Sequence, residues 1–371
     1  MSRVDLKTVI DGDGHIFEDP EGLRKFLPYP LSENNTTKIM GVFPHLDHLH
    51  HVLAKNPPGA FGMQPDGTFR NPGPEGWIEF LNRSGITLTV LYPTAGLSYG
   101  RIMDVDYAIG ACRAYNDWIA ETYLRRDPRF KAVALIPMQE PQAAVEELRR
   151  AVTDQGMVGA MLPSTGLKTH LGDRIYWPIY QEASRLGCAL AVHGGAHQDL
   201  GMNPMNVFAA THAIGHPVGI MIGLAGMVFN GLFDRYPNLK VAFLEGGVAW
   251  FLMALERFTG SYASFRPYDP RGEYLKLQDG ETVADYLIRH ARAGRIAVGV
   301  EGDEPALAYA IKVAGPRAFI YSSDFPHEVN VESVRGEIDE LLANDALTDE
   351  DKAAILHGNS ARFYGFDEVT A

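Results

Sequence analysis

The stretch that decides the fold is VIDGDGHIFEDP, residues Val9 to Pro20, close to the start of the chain. It begins as an apolar β-strand and continues into Asp11, Asp13 and His15, which occupy every second position. Alternate residues of a strand point to the same side, so these three polar side chains share one face. We therefore expect these polar side chains to contact other charged or polar groups where the strand ends.

Seven further short apolar runs follow, separated by segments with helical periodicity. Together with the first run they predict strands at 8–13, 87–93, 131–137, 158–163, 188–194, 240–246, 295–300 and 318–324. The clearest helices are predicted at 142–156, 177–187, 246–260 and 304–315. Apolar strands that alternate with helices are typical of a parallel sheet covered on both faces. Eight such units predict a (β/α)8 TIM barrel, with an open doubly wound sheet as the alternative.

Residues 19–75 interrupt this rhythm. They include KNPPGAFGMQPDGTFRNPGPEG and form a connection far longer than is usual between a strand and the next helix. We predict a single domain over residues 1–371, with 19–75 as an insertion over the carboxyl end of the barrel. The insertion is predicted to act as a lid, with a surface excursion or an oligomer contact as the alternative.

The charge and the cysteine content limit the partners and the compartment. The 371 residues include 46 acidic and 33 basic side chains, for a formal charge of −13 and no Lys/Arg-rich run, which argues against nucleic acid. Only Cys112 and Cys188 occur, no signal peptide is recognisable, and the longest apolar segment, VGIMIGLAGMVFNGLF, is interrupted by glycines and shorter than a bilayer span. We expect a cytoplasmic protein without a membrane partner that forms a homodimer or a higher homo-oligomer.

Polar groups are predicted to gather at the carboxyl ends of the strands, where TIM barrels carry their chemistry. The first strand brings Asp13 and His15 there, the fifth His193, the sixth Glu245 and the eighth Asp324. The first and eighth strands are neighbours in a closed barrel, and the fifth faces them. Carboxylates and imidazoles crowded at an apolar edge are costly without a cation. We predict one catalytic divalent metal ion bound by Asp13, His15, His193 and Asp324, with Zn²⁺ as the first choice and Mn²⁺ as the alternative.

The chain resembles the amidohydrolase superfamily, in the branch related to aminocarboxymuconate-semialdehyde decarboxylase. The motifs that carry the resemblance span nearly the whole chain in the order DGDGHIFEDP, LAVHGG, RYPNLKVAFLEGGVAWF, YSSDFPH and HGNSARFYGF. The resemblance implies the same four metal ligands and a role for Asp324 in taking or delivering a proton. Asp13 stands where many members have histidine, which favours a single metal. Glu245 stands where decarboxylases of the branch carry a catalytic histidine.

The glutamate at position 245, where decarboxylases of the branch carry histidine, decides the first functional hypothesis. We predict a metal-dependent hydrolase of a small cyclic or aromatic organic acid or a related compound. Glu245 would act as acid, base or substrate-orienting group, and the metal would polarise a carbonyl or activate water. Non-oxidative decarboxylation of an aromatic or muconate-like carboxylate is the alternative, hydration comes third, and a non-catalytic binding barrel is the alternative from another class.

Four residues outside the ligand set are predicted to contact the substrate. His212 and His216 lie one helical turn apart after the fifth strand, Trp77 lies beside the insertion, and His327 follows Asp324 by three positions. Helix packing is the alternative for the histidine pair, a core position for Trp77 and a capping contact for His327.

The insertion contains the histidine cluster PHLDHLHH, with His45, His48, His50 and His51. By composition alone, this histidine-rich cluster would be predicted to bind a metal ion. No strand fixes its geometry, so we predict a solvated or lid-contact role and not the catalytic metal, with one of the histidines able to touch substrate.

Overall fold

The fold is a parallel eight-stranded barrel. The structure, a computed structural model, describes residues 4–33, 37, 41–46, 48–49, 71–197, 199–269, 271 and 275–366. Its strands pair in the order β1 to β8, and each strand pairs with the next in parallel. The bounds are β1 Ile10–Ile16, β2 Leu88–Pro93, β3 Phe130–Leu135, β4 Gly159–Pro163, β5 Ala189–His193, β6 Lys240–Leu244, β7 Ile296–Val300 and β8 Phe319–Tyr321. All eight predicted strands are present, and the predicted TIM barrel is confirmed.

Helices cover the outside of the barrel, which explains why the strands are apolar on both faces. Among the described residues the α-helices are α1 Pro20–Arg24, α2 Gly73–Ser84, α3 Val105–Ile119, α4 Pro141–Asp154, α5 Trp177–Leu186, α6 Phe208–Phe229, α7 Leu232–Arg235, α8 Ala249–Phe265, α9 Val283–Arg292, α10 Leu307–Ala314, α11 Val331–Ala343, α12 Asp349–Ala353 and α13 Asn359–Tyr364. Single 3₁₀ or π turns occur at Leu31–Glu33, Ala95–Arg101, Ala120–Leu124, Arg174–Tyr176, Arg266–Tyr268, Pro316–Ala318 and Ala354–Gly358. The four helices predicted most clearly correspond to α4, α5, α8 and α10.

Local capping determines where the helix that follows β8 begins. The Asn330 side chain accepts hydrogen bonds from the N–H groups of Glu332 and Ser333, and the Ser333 hydroxyl bonds back to the backbone of Asn330. This capping box satisfies backbone N–H groups that a helix leaves unpaired at its start. It therefore limits the loop between β8 and α11, which carries Asp324 and His327, to a short fixed segment.

The first strand is longer than predicted at its carboxyl end. It runs over Ile10–Ile16 instead of 8–13, so His15 lies within the strand as Asp13 does, and not after it. Its pairing with β2 shifts register between Asp11 and Gly14. Such a bulge changes the direction in which neighbouring side chains point, and here it separates Asp11 from the other two polar residues.

Asp11 links β1 to β2 and to the segment after β8, and it does not face the site. We call the junction of β1 with the segment after β8 the seam of the barrel. Its carboxylate accepts a hydrogen bond from Thr89 Oγ1 on β2 at 2.7 Å, and from the backbone N–H and the hydroxyl of Ser323 after β8, both at 2.9 Å. Burial raises the pKa of Asp11 to about 6, although these hydrogen bonds act in the opposite direction. One carboxylate thus links three segments directly beneath the site.

Two backbone hydrogen bonds complete the junction of β1 with the chain after β8. The Asp324 N–H donates to the Asp13 carbonyl at 3.0 Å, and the His15 N–H donates to the Phe325 carbonyl at 2.6 Å. These bonds hold the backbones of three predicted ligands together. The proximity of the first and eighth strands, which the closed barrel predicts, therefore holds at the level of individual atoms.

The helix after β5 differs from the sequence-based expectation in length. The segment predicted to be shorter than a bilayer span belongs to α6, a 22-residue helix that is long and apolar enough to cross a membrane by length and composition alone, a test that buried core helices also pass. Its glycines do not interrupt it. A Cβ on Gly223 would lie 3.1 Å from Val192 of β5 and 3.3 Å from Leu171, so the glycine lets the helix pack closely against the barrel.

Parts of the insertion at 19–75 are described, and the segment 41–46 lies against the loop after β2 and the first turn of α3. The Tyr107 hydroxyl donates to the Val42 carbonyl at 2.8 Å, and the Ser98 hydroxyl donates to the Pro44 carbonyl. Residues 50–70 lie outside the described residues. The single domain and the lid role both stay predictions.

Candidate metal centre and its pocket

A cavity of about 350 Å³ opens at the carboxyl ends of the strands. This volume is within the usual range for a small-molecule site. Glu245 and His327 lie at its floor, and much of its wall is apolar, including Phe17, Val42, Phe43, Leu97 and Phe208. The described part of the insertion contributes the wall residues from Gly41 to Leu46.

The four predicted ligands come together beside Glu245 and His327. Asp13 Oδ1 lies 3.5 Å from His15 Nε2 and 3.2 Å from His193 Nε2, and Asp324 Oδ1 lies 3.6 Å from His15 Nε2. Glu245 Oε1 also lies 3.5 Å from His15 Nε2. Within the described residues two sets of donor atoms each lie within 4.8 Å of one another, Asp13 with His15 and His193, and His15 with Glu245, Asp324 and His327.

The protonation of His15 suits a metal ligand. Its Nδ1 lies 2.7 Å from the Pro93 carbonyl, which can only accept, so Nδ1 carries the proton and the Nε2 lone pair faces the carboxylates. Burial and the neighbouring charges of His327 and His193 keep the pKa of His15 well below its usual value. A neutral imidazole of this orientation is the form that binds metal ions.

Two buried polar atoms show that the residues present fit a cation. His15 Nε2 and Asp13 Oδ2 have no hydrogen-bond partner within the described parts of the chain. Burial raises the pKa of Asp13 against the effect of His193. Burial alone would lower the pKa of His193, but Asp13 and Glu245 outweigh it and raise that pKa to about 9. A divalent cation among these nitrogen and oxygen donors would satisfy the orphaned atoms and offset the carboxylate charge.

The two carboxylates that follow strand ends have unusual backbones. Glu245 has a φ of 60° and Asp324 a φ of 53°, and Asp199 is the one other non-glycine residue of the described chain with a positive φ. A side chain in this left-handed region costs on the order of 1–3 kcal/mol and persists where the surroundings enforce it. Glu245 and Asp324 are therefore held at the floor against a local backbone preference.

Asp324 is held by a chain of side chains from two other segments. His327 Nδ1 lies 2.7 Å from Asp324 Oδ1, and His327 Nε2 lies 2.9 Å from the hydroxyl of Thr94. The His327 ring also stacks on the His15 ring, with centroids 4.2 Å apart. Burial raises the pKa of Asp324 well above its usual range, and Glu245 adds to this effect while His327 opposes it. The arrangement fixes one oxygen of Asp324 and orients its carboxyl group.

Glu245 pairs with a histidine of α6. Its Oε2 lies 2.7 Å from His216 Nδ1 and 3.5 Å from His193 Nδ1. Burial would raise the pKa of Glu245, but His193 and His216 outweigh it and hold the pKa well below the usual value. Glu245 is thus a carboxylate that connects the metal ligands to an imidazole in the cavity wall.

Three of the four predicted substrate contacts line the cavity. They are His212, His216 and His327. Trp77 is fully buried, and its indole N–H donates to the His15 carbonyl at 3.0 Å. It packs on the outer side of β1 against Phe80 and Phe325, so it lies behind the site and does not face the cavity.

The described histidines of the insertion, His45 and His48, are separate from the predicted metal ligands. His45 lines the cavity, and His48 Nε2 lies 2.8 Å from the Met205 carbonyl. His50 and His51 lie outside the described residues. The structure thus places the described members of this cluster beside the cavity, away from the floor.

Sequence reasoning missed His197 and Thr94, and it placed Asp11 on the same face as Asp13 and His15. His197 lines the cavity, Thr94 holds His327, and Asp11 instead bonds to Thr89 and Ser323. Of the two missed residues, only His197 carries a signal in the sequence, because VHGGAHQ places it four residues after His193. The contacts of Thr94 and Asp11 are between residues more than 70 positions apart and leave no local pattern.

Comparison with known protein families matches residues 10–366 to the amidohydrolase family. The chain belongs to this family. The predicted resemblance is therefore confirmed over nearly the whole length. The chain is accordingly a metal-dependent enzyme of the amidohydrolase family, a hydrolase or a carboxy-lyase.

Relatives of this amidohydrolase are decarboxylases. It is 27% identical over 301 residues, 79% of this chain and 77% of the relative, to 2-amino-3-carboxymuconate-6-semialdehyde decarboxylase of Dictyostelium discoideum. It is 33% identical over 161 residues, 38% of this chain and 46% of the relative, to gamma-resorcylate decarboxylase of Rhodococcus jostii. Its fold matches 5-carboxyvanillate decarboxylase of Novosphingobium aromaticivorans, solved with bound manganese, with a TM-score of 0.72, 16% identity and 97% of each chain covered. The first expectation of a hydrolase is not confirmed.

Proposed function

We propose that this amidohydrolase is a metal-dependent, non-oxidative decarboxylase of a small aromatic carboxylate. The observation that carries the proposal is a cluster of candidate metal ligands beside a cavity with a largely apolar wall, joined by Glu245 and His327, which belong to both. The floor suits a carboxylate and the wall suits a flat ring. The similarity to decarboxylases over about four-fifths of the chain supports this assignment.

We propose Mn²⁺ as the metal, in place of the Zn²⁺ that was the first expectation. Three carboxylates and three imidazoles make up the donor sets, and mixed oxygen and nitrogen donors without sulfur suit Mn²⁺. The manganese in the structure of the similar decarboxylase agrees with this choice. Asp13, His15, His193 and Asp324 would hold the ion, which when bound would fix the substrate carboxylate and draw electrons from it.

In the proposed reaction one ring carbon exchanges its bond to the carboxylate for a bond to hydrogen. The bond between the ring carbon and the carboxylate breaks, CO₂ leaves, and the ring carbon takes a proton with the electron pair that remains. Asp324 is the proposed source of this proton, because it lies at the floor with one oxygen anchored by His327 at 2.7 Å. Thr94 and His327 position the carboxyl group.

Glu245 and His216 are proposed to act together beside the same carbon. Their 2.7 Å contact places a carboxylate and an imidazole where decarboxylases of the branch are expected to carry one histidine. Glu245 orients His216, and His216 presents an imidazole to the ring in the cavity. The replacement of histidine by Glu245 is thus compatible with decarboxylation, because an imidazole reaches the site from α6.

The test is a screen of hydroxybenzoates and muconate-like acids with Mn²⁺-loaded protein, in which CO₂ and the organic product are both quantified in ¹⁸O-labelled water. We expect one CO₂ per molecule of product and no ¹⁸O in that product. Incorporation of ¹⁸O without CO₂ release would establish hydrolysis instead. The homo-oligomeric state and the cytoplasmic location are further proposals, which sedimentation and fractionation of the native source would check.

A further inference from the structure

His197 is a buried polar side chain that the proposed mechanism does not use. It lies in the loop after β5, is 2% exposed and lines the cavity. Its backbone N–H donates to the Leu46 carbonyl at 3.3 Å. Neither of its ring nitrogens has a hydrogen-bond partner in the described chain. Buried polar atoms normally have partners, and each one left without a partner is unfavourable for the fold.

The position of this ring is built into the fold. A Cβ on Gly215 of α6 would lie 2.2 Å from Cδ2 of His197, so the ring can occupy this place only opposite a glycine. The ring also lies 4.7 Å, centroid to centroid, from His216, which in turn contacts Glu245. His216 therefore separates His197 from the metal cluster, and the two imidazoles follow one another along the cavity.

The His197 imidazole is neutral. Burial, together with the nearby rings of His216 and His212, lowers its pKa to about 3. A neutral imidazole offers one N–H donor and one acceptor nitrogen, and it carries no charge that would attract a carboxylate. Beside it the cavity wall includes the apolar side chains of Leu97 and Phe208. A hydroxyl group, which also donates and accepts, matches this combination.

We infer that His197 is a specificity-determining residue that binds a neutral hydroxyl substituent on the ring of the substrate. The inference rests on the proposed function, which supplies an aromatic ring as substrate. It specifies the hydroxyl substituent by which the protein would select that substrate. The substrate class becomes a phenolic carboxylate with a hydroxyl on the edge of the ring away from the carboxylate. A second carboxylate at that edge would be disfavoured, because the neutral ring and the apolar wall cannot compensate its charge.

The test uses ligands that cannot react. 2-Hydroxyacetophenone and 2,4-dihydroxyacetophenone share an ortho oxygen pair and differ by one hydroxyl, and neither can lose CO₂ or be hydrolysed. Calorimetric titration of the Mn²⁺-loaded protein near pH 6.5 should show the dihydroxy ligand binding roughly 5- to 10-fold more tightly, the effect of one hydrogen bond. A ligand with a carboxylate in place of that hydroxyl, 4-acetyl-3-hydroxybenzoate, should bind more weakly than both.

His197→Phe should remove the preference for the dihydroxy ligand and leave the affinity for 2-hydroxyacetophenone nearly unchanged, whereas His197→Gln should restore part of the preference. His357→Phe, at a position that contacts the Asp5 carbonyl far from the cavity, controls for the change of residue type. ¹⁵N-histidine NMR of the parent protein gives a second readout if the variant does not fold. Addition of the dihydroxy ligand alone should shift the His197 ring nitrogens.

Equal affinities of the parent for the two acetophenones, failure of both to bind, or a preference that persists in His197→Phe would overturn the inference. None of these outcomes depends on turnover. A protein that discriminates between the ligands but releases no CO₂ from any acid would retain the subsite and lose the proposed function.

Discussion

Two groups of carboxylates lie at the carboxyl ends of the strands, and they differ in what accompanies them. In the metal cluster, Asp13, Glu245 and Asp324 lie among histidines, and the donor atoms form two sets that share His15, each set within 4.8 Å. The β7 acidic group comprises Glu301, Asp303 and Glu304 after β7 together with Glu337 on α11. In the described chain this second group forms no set of three converging metal ligands.

In the β7 acidic group, protonation and hydrogen bonds from backbone N–H groups reduce the repulsion between the carboxylates. Glu304 accepts hydrogen bonds from the N–H groups of Glu301 and Gly302 at 3.0 and 2.9 Å. Burial, with repulsion from Glu301 and Asp303, raises the pKa of Glu337 to about 8. Crowded carboxylates therefore do not by themselves make a metal site. Imidazoles whose lone pairs are oriented by the backbone, as in His15, make the difference.

The largest expected effect is the loss of the metal when an imidazole is removed. His15→Ala and His193→Ala should each weaken Mn²⁺ binding by at least about 100-fold, because each deletes a ligand and leaves buried carboxylates unpaired. Competition with a chelator and elemental analysis measure this. His357→Ala serves as the control. Stoichiometric metal in the His15→Ala protein would mean that the site lies elsewhere.

The second prediction separates metal binding from proton transfer within the cluster. Asp324→Asn should reduce turnover by roughly 10²- to 10⁴-fold, because the amide keeps an oxygen for the metal but cannot deliver a proton. Metal content should fall much less. Single-turnover rates and metal analysis of the same preparation give both values. Turnover close to that of the parent would leave Asp324 with a structural role alone.

The third prediction concerns the contact between Glu245 and His216. Glu245→Gln and His216→Gln should each lower turnover by about 10- to 100-fold, and the double variant should be little worse than the more severe single one. Residues that act through one contact give non-additive effects. A double-mutant cycle on turnover, with metal content as the control readout, measures the coupling. Full additivity would show that the two residues act independently.

The smallest expected effect is in the β7 acidic group. The folded protein keeps Glu337 protonated up to about pH 8, while the carboxyl in the unfolded chain ionises near 4.5. The folded state therefore binds more protons between these values, so the stability of the parent falls as the pH rises through this window. Glu337→Gln should remove that loss and stabilise the protein at pH 9, by on the order of 1 kcal/mol because solvent screens this half-buried group.

Denaturant unfolding at pH 6 and pH 9 checks this prediction. Glu340→Gln on the exposed side of α11 is the matched control and should show no comparable dependence on pH. If Glu337→Gln changed stability equally at both pH values, the carboxyl group would not be protonated in the folded parent.

Much of the barrel and the convergence of the four candidate ligands could be predicted because both follow from local patterns. Continuous apolar runs that alternate with helical segments predicted all eight strands, and a parallel barrel brings the ends of those strands to one side. This placed Asp13, His15, His193 and Asp324 in one group. The direction in which Trp77 points was not predictable in this way, because the packing of α2 against β1 determines it.

The sequence by itself determined the kind of fold, the residues that reach the floor and the family, because strand periodicity and motif order are properties of the chain as written. The tertiary structure decided how those residues are used. It turned Asp11 into a brace for Ser323, paired Glu245 with a histidine of α6, and placed His197 against Gly215 with both ring nitrogens unpartnered in the described chain. Each of these contacts joins residues from different segments, so its geometry arises only when the barrel has closed and the helices have packed around it.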